Sequence, residues 1–148
     1  VWTLEDPFEN LKNLAPYALT TSLRDTMMWP TENGFGGQWT AMGDGLVDWK
    51  QYFDHFTKIC PKTPVCIENI SGFNFELKTK QENYWKNWPN GKPKGYEKFI
   101  TFANRGKMRA AWKAPKGVER KKAQQKFQRN DLEKSIAYCR KLGLGIYR

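Results

Sequence analysis

Within the run Thr63-Pro64-Val65-Cys66-Ile67-Glu68-Asn69-Ile70, Glu68 is the residue able to carry a proton or ligate a cation. Side chains alternate along an extended chain, so Glu68 shares a face with Cys66, opposite Val65 and Ile67. If Val65–Ile70 is a strand buried on both faces, its carboxylate points inward. An unpaired charge there costs several kcal/mol or more, so the group needs a metal, a neighbouring cation, or a role as acid or base. A pair with Arg24 that simply closes the end of a sheet is the plain structural alternative.

A second reactive place is Ala18-Leu19-Thr20-Thr21-Ser22-Leu23, a short run that ends in Arg24-Asp25 before Met27, Met28 and Trp29. In parallel α/β sheets and barrels the reactive groups gather at the carboxyl ends of strands, where the loops surround the mouth. Asp25 and Glu68 together can offer oxygen to a hard divalent ion, although two carboxylates do not define a site. Arg24-Asp25 also has a bland reading as a surface ion pair, worth about 0–1 kcal/mol. Gly43-Asp44-Gly45, in GDGLVDW, permits close backbone approach to a bound group, or is an ordinary loop before a capped helix. The single histidine, His55, falls on the polar side of a helix, which is a solvated position. No P-loop, GxGxxG, HExxH or nucleophile elbow occurs.

The elements that must hold these residues follow from pattern. Asp6-Pro7 with Phe8, Leu11 and Leu14 predicts a capped helix that Pro16 ends. Ala18–Leu23 predicts a strand, and the glycine-rich segment from Thr31 to Gly45 a long loop. Asp48 caps a second amphipathic helix with Trp49, Phe53, Phe56 and Ile59 on one face. Val65–Ile70 is then a second strand. Helix, strand, helix, strand with long connections predicts parallel α/β order. Tyr96 to Asn104 predicts a short helix, and Val118 to Leu142 a long one interrupted at Asn130, with Leu132, Ile136 and Cys139 as its apolar stripe.

The charge is unevenly spread. Residues 1–77 hold 5 Lys+Arg against 10 Asp+Glu, or −5, and residues 78–148 hold 20 against 5, or +15. The lysines of the second half lie among aromatic residues such as Trp85, Trp88, Tyr96 and Phe99 in place of one dense block, which reads as a solvated or partner-facing surface and argues against nucleic acid as the ligand. Cys60, Cys66 and Cys139 form no CxxC pair, so a reducing, cytoplasmic location is expected. No apolar run is long enough to span a membrane. The sequon Asn69-Ile70-Ser71 abuts the second strand and reads as chance.

Taken in order, EDPFENLKNLAPY, TTSLRDTMMW, MGDGLVDWKQYF, TPVCIENI and FQRNDLEKSIAYCRKLGLG resemble the sugar phosphate isomerase/epimerase family of xylose-isomerase-like TIM barrels. The resemblance implies an α/β chain forming the C-terminal portion of a (β/α)8 barrel. Residues 1–76 would be its last strands and helices, and residues 77–148 a basic helical extension. TTSLRD would be the seventh strand and VCIENI the eighth, with the missing strands supplied by a longer chain or a partner chain. A homo-oligomer is a further option.

By the same resemblance the function is metal-assisted proton transfer between neighbouring carbons of a sugar, with Glu68 both catalytic base and ligand to a divalent ion (Mn, Mg, Co or Zn). Arg24, Asp25, Trp29 and Trp39 would contact the sugar, with Asp25 holding Arg24 in place. The family places a histidine ligand where this chain has Ser22. The competing reading is a carbohydrate-binding barrel that has lost its chemistry.

Overall fold

A computed structural model describes residues 3–145 of the chain. Val1 and Trp2, the start of the first expected unit, lie outside it, as do residues 146–148, the end of the second. The architecture is mixed α/β, with four α-helices, short 3-10 turns and one antiparallel three-stranded sheet among the described residues.

Helix α1 (Pro7–Leu14) starts as its sequence predicts. Asp6 accepts from the amides of Phe8 and Glu9 at 2.9 and 3.1 Å, and Pro7 occupies the first turn, where a missing N–H costs nothing. A 3-10 turn, Ala15–Tyr17, ends it. The next expected strand, residues 18–23, forms a single parallel bridge, Leu23 with Ile67. Leu23 N donates to Cys66 O at 2.8 Å and Glu68 N to Leu23 O at 2.9 Å. Further ladder bonds do not form because side chains take their places. Thr21 Oγ1 donates to Pro64 O and accepts from Cys66 N, and Pro64 has no N–H to give. The expectation of a second strand buried on both faces is likewise corrected, since Val65, Cys66 and Ile70 are exposed.

The central strand of the sheet lies where the loop from Thr31 to Gly45 was expected. β1 (Asp25–Thr31) turns through Glu32-Asn33 into β2 (Gly34–Thr40), and β3 (Asn74–Leu77) pairs antiparallel with the other edge of β2. The glycines that argued against a strand are what let this one form. A Cβ at Gly36 would fall 2.3 Å from the Trp29 indole across the pair, and one at Gly37 2.4 Å from the Phe75 ring. Bare backbone on β2 therefore lets aromatic side chains of its neighbours lie over it.

Helix α2 (Trp49–Ile59) is capped by Asp48, whose Oδ1 accepts from Gln51 N at 3.0 Å. Its buried face is Trp49, Tyr52, Phe53 and Phe56, while Ile59 is half exposed. α3 (Tyr96–Ala103) buries Phe99 completely. α4 (Arg120–Lys141) runs 22 residues without a break at Asn130. It faces the body through Ala123, Phe127, Asp131, Ser135 and Cys139, a four-residue spacing that leaves Leu132 and Ile136 partly exposed. Hydrogen bonds decide that rotation, because Gln128 and Asp131 meet Asn69 and Ser71. Those contacts also give the sequon residues a packing role. The apolar core joins Leu11, Met28, Phe53 and Phe56 to Phe99, Phe102 and Cys139, so it crosses the expected boundary at residue 76, which falls inside β3. No described helix is long and apolar enough to cross a membrane.

Candidate functional site

Where α1, the bridged segments at Leu23 and Ile67, β2 and α2 meet, a cleft of about 360 Å³ opens. Its polar wall is Ser22, Arg24 and Glu68, joined by Thr3 from the chain entering α1 and Asn10 from α1 itself. Its apolar floor is Trp39, Val47, Trp49 and Tyr52. Alternation works as the sequence suggests at its end: Ile67 packs on the core and Glu68 projects from the opposite face.

Glu68 is neither buried nor alone. Its side chain keeps 36% of its surface exposed and pairs with the Arg24 guanidinium, and Glu68 Oε2 also accepts from Ser22 Oγ at 3.1 Å. Arg24 in turn lies over the Trp39 ring, 4.1 Å from its centroid. The Arg24 hydrogen bond is the largest influence on Glu68; against the opposing effect of desolvation it holds the carboxyl below the usual glutamate range, with a lesser contribution from the Ser22 hydroxyl. The group is thus an anion at neutral pH and a ready hydrogen-bond acceptor. It is a weak base in this arrangement, because stabilising the charged form lowers its proton affinity. Arg24 Nε and Trp49 Nε1 are both buried behind the cleft wall without a partner among the described residues.

Asp25 sits elsewhere. It is fully buried, and its carboxylate accepts from the amides of Thr26 (2.8 Å), Gly43 (2.9 Å) and Gly45 (2.9 Å). The GDG signal is therefore a clasp of backbone N–H groups around an internal carboxylate. The expectation that Asp25 steadies Arg24 is corrected: consecutive residues of a strand point to opposite faces, so Arg24 meets Glu68 and Asp25 meets the 43–45 loop. Burial raises the Asp25 pKa above the ordinary aspartate value. The Trp49 indole N–H, which has no partner at hydrogen-bond distance yet lies close by, and the three amides oppose that rise without cancelling it.

Trp29 is also buried, against Gly36, and does not line the cleft. The structure thus brings together Ser22, Arg24, Trp39 and Glu68 and leaves out Asp25 and Trp29. Sequence reasoning missed Asn10, Trp49 and Tyr52. Trp49 and Tyr52 were legible only as a helical apolar face, which packing and ligand contact share.

One carboxylate already neutralised by a guanidinium, with a hydroxyl beside it, does not make a donor set for a divalent ion. Among the described residues no three of His, Cys, Asp and Glu cluster. His55 packs edge-on against Phe8, with Nδ1 near Gln51 O, away from the cleft. Set beside models of protein families, curated proteins and solved structures, the chain matches none of them.

Proposed function

We propose that the chain supplies the sugar-binding part of a carbohydrate isomerase or epimerase, with the cleft at Arg24, Trp39 and Glu68 receiving a sugar or similar polyol. The observation that carries the reading is the convergence at one open cleft of the Trp39 ring with the Arg24 guanidinium laid over it, the Ser22 hydroxyl, and a Glu68 carboxylate whose second oxygen faces no donor among the described residues. Sugars present apolar C–H faces edged by hydroxyls that both donate and accept. An aromatic floor with mixed polar walls suits them.

The parallel pairing of Leu23 with Ile67, across a connection that holds the β1–β2 hairpin as well as α2, is what supports reading residues 18–70 as two successive units of a (β/α)8 barrel, with the hairpin as an insertion between them. Tyr17, Leu19, Val65 and Ile70, exposed beside that pairing, are the apolar residues that added barrel strands would cover. Glu68 would then face a barrel interior. A divalent ion there would polarise the sugar's oxygens, and it would need donors beyond Glu68 and Ser22. Proton transfer by Glu68 requires its release from Arg24. A carbohydrate-binding role without chemistry is the second reading, favoured by the Glu68–Arg24 pair and by Ser22.

Titration with aldoses and ketoses, followed by the Trp39 indole N–H in NMR spectra, tests binding. Arg24→Ala should weaken saturable sugar binding by about tenfold or more, since charge-assisted hydrogen bonds contribute roughly 1.5–3 kcal/mol. A sugar-independent Trp39 signal would refute the assignment. Ser22→His should in turn raise affinity for Mn(II) or Co(II), measured by calorimetry, because imidazole binds such ions where a neutral hydroxyl hardly does. Equal affinities before and after that substitution would place Ser22 outside any metal position. Exchange of sugar C–H protons with D2O, lost in Glu68→Gln, distinguishes the isomerase from the binding module.

A further inference from the structure

A second cavity, of about 680 Å³, shares no residue with the sugar cleft and is built around a right-angled aromatic corner. Trp85, from the 3-10 turn Glu82–Asn87, and Tyr96, the first residue of α3, stand 5.3 Å apart with their planes at 85°. The Trp85 ring is pinned, since its Nε1 donates to Thr79 O at 2.8 Å. Into this corner reaches Lys92, whose Nζ lies 5.2 Å from one ring centroid and 5.3 Å from the other.

Lys92 makes no ion pair or side-chain hydrogen bond among the described residues. It sits on an exposed turn whose Gly91 has φ of 74°. Two carboxylates, Glu82 and Glu97, also line the cavity, and neither is in an ion pair with another described residue. The other lysine there, Lys80, is engaged with Thr31 O at 3.1 Å. The wall further carries the Thr79 hydroxyl, buried and without a partner.

We propose that this corner is a binding site for a small organic cation of the quaternary-ammonium class, with Lys92 as its tethered occupant in the free protein. The two ring faces and two unpaired carboxylates select positive charge, and the chain itself demonstrates the fit by placing an ammonium there. A primary ammonium is a poor match because it loses strongly held water on entering, and Lys92 pairs with neither carboxylate in return. A quaternary ammonium has no N–H to satisfy, so it gains the ring interaction at lower desolvation cost. Thr79 adds a polar wall for a ligand that also carries a hydroxyl. Lys92 competes by proximity, and its removal should therefore expose the site rather than destroy it.

The test uses choline and its neutral isostere 3,3-dimethyl-1-butanol, titrated against the full chain and Lys92→Ala, with calorimetry and the Trp85 indole N–H as readouts. Lys92 is exposed, and a thermal melt verifies that the variant is folded. We expect choline to perturb the Trp85 signal, to bind Lys92→Ala at least about fivefold tighter than the unmodified chain, and to bind better than the alcohol. If choline leaves Trp85 undisturbed in Lys92→Ala, if the neutral isostere binds equally well, or if removing Lys92 brings no gain, the site is only a clasp that fastens the turn and the proposal is overturned.

Discussion

Replacing Asp25 with alanine is expected to destabilise the chain by roughly 3–5 kcal/mol, a fall of roughly 10 °C in Tm for a protein of this size. Three backbone N–H groups, of Thr26, Gly43 and Gly45, converge on this fully buried carboxylate. Alanine would leave those donors stranded, at a cost of roughly 1–3 kcal/mol each before relaxation. Removing a buried carboxylate that resists ionisation offsets part of that loss, but a single offset does not outweigh three orphaned donors. Thermal or urea unfolding would measure the difference, and a change below 1 kcal/mol would show that the 43–45 loop does not depend on Asp25.

The sign of the pH dependence follows from the same burial. Because burial raises the folded-state pKa of Asp25 above the ordinary aspartate value, the folded chain holds this proton to higher pH than the unfolded one. The stability it contributes is complete below that value and declines as pH rises through the folded pKa. Asp25→Asn retains one acceptor oxygen and should cost less than alanine. It should also abolish this group's decline between the two pKa values.

Gly45→Ala is expected to cost roughly 2–4 kcal/mol, for a reason that can be separated from the first. A Cβ at this position would lie 2.1 Å from Asp25 Oδ1 and 2.7 Å from Thr26 N. The backbone cannot retreat without breaking the Gly45 N–H bond to the same carboxylate. Since the clash is with the Asp25 side chain, the double substitution Asp25→Ala/Gly45→Ala should be less harmful than the two single losses added together, by about 1 kcal/mol or more. Strict additivity would mean that the glycine answers to some other neighbour. The Ser22, Arg24 and Glu68 cleft lies on the opposite face of the strand from Asp25, so mild destabilisation by Asp25→Asn should leave sugar affinity unchanged.

How much of the site was legible differs residue by residue. Glu68 stood out because a carboxylate in an apolar run is costly unless something answers its charge, and Arg24 was already a candidate to answer it. Both conclusions need only residue types and alternation. Asp25 was misplaced because adjacency in sequence suggested a pair with Arg24, whereas β-geometry sends neighbours to opposite sides. Trp29 and Trp39 have the same local character, and only the pairing of β1 with β2, which sets Trp29 opposite Gly36 and Trp39 opposite Thr26, decides that Trp39 faces the cleft while Trp29 covers Gly36. The β1–β2 hairpin carried a turn signal in Asn33-Gly34, but Gly34, Gly36 and Gly37 lower strand propensity, which local reasoning counts and tertiary packing overrides.

By itself the sequence determined the capped starts of α1 and α2, the amphipathic face of α2, and the singular position of Glu68. These depend on contacts within a few residues or on the fixed periods of helix and strand. Tertiary structure alone decided that Asp25 is clasped by a glycine loop 18–20 residues away, that hydrogen bonds to residues 69–71 set the rotation of α4, and that Glu68 meets Arg24 at an open cleft. Each of these rests on groups distant in the chain whose approach is selected by the burial and pairing of the whole, so no local pattern encodes it.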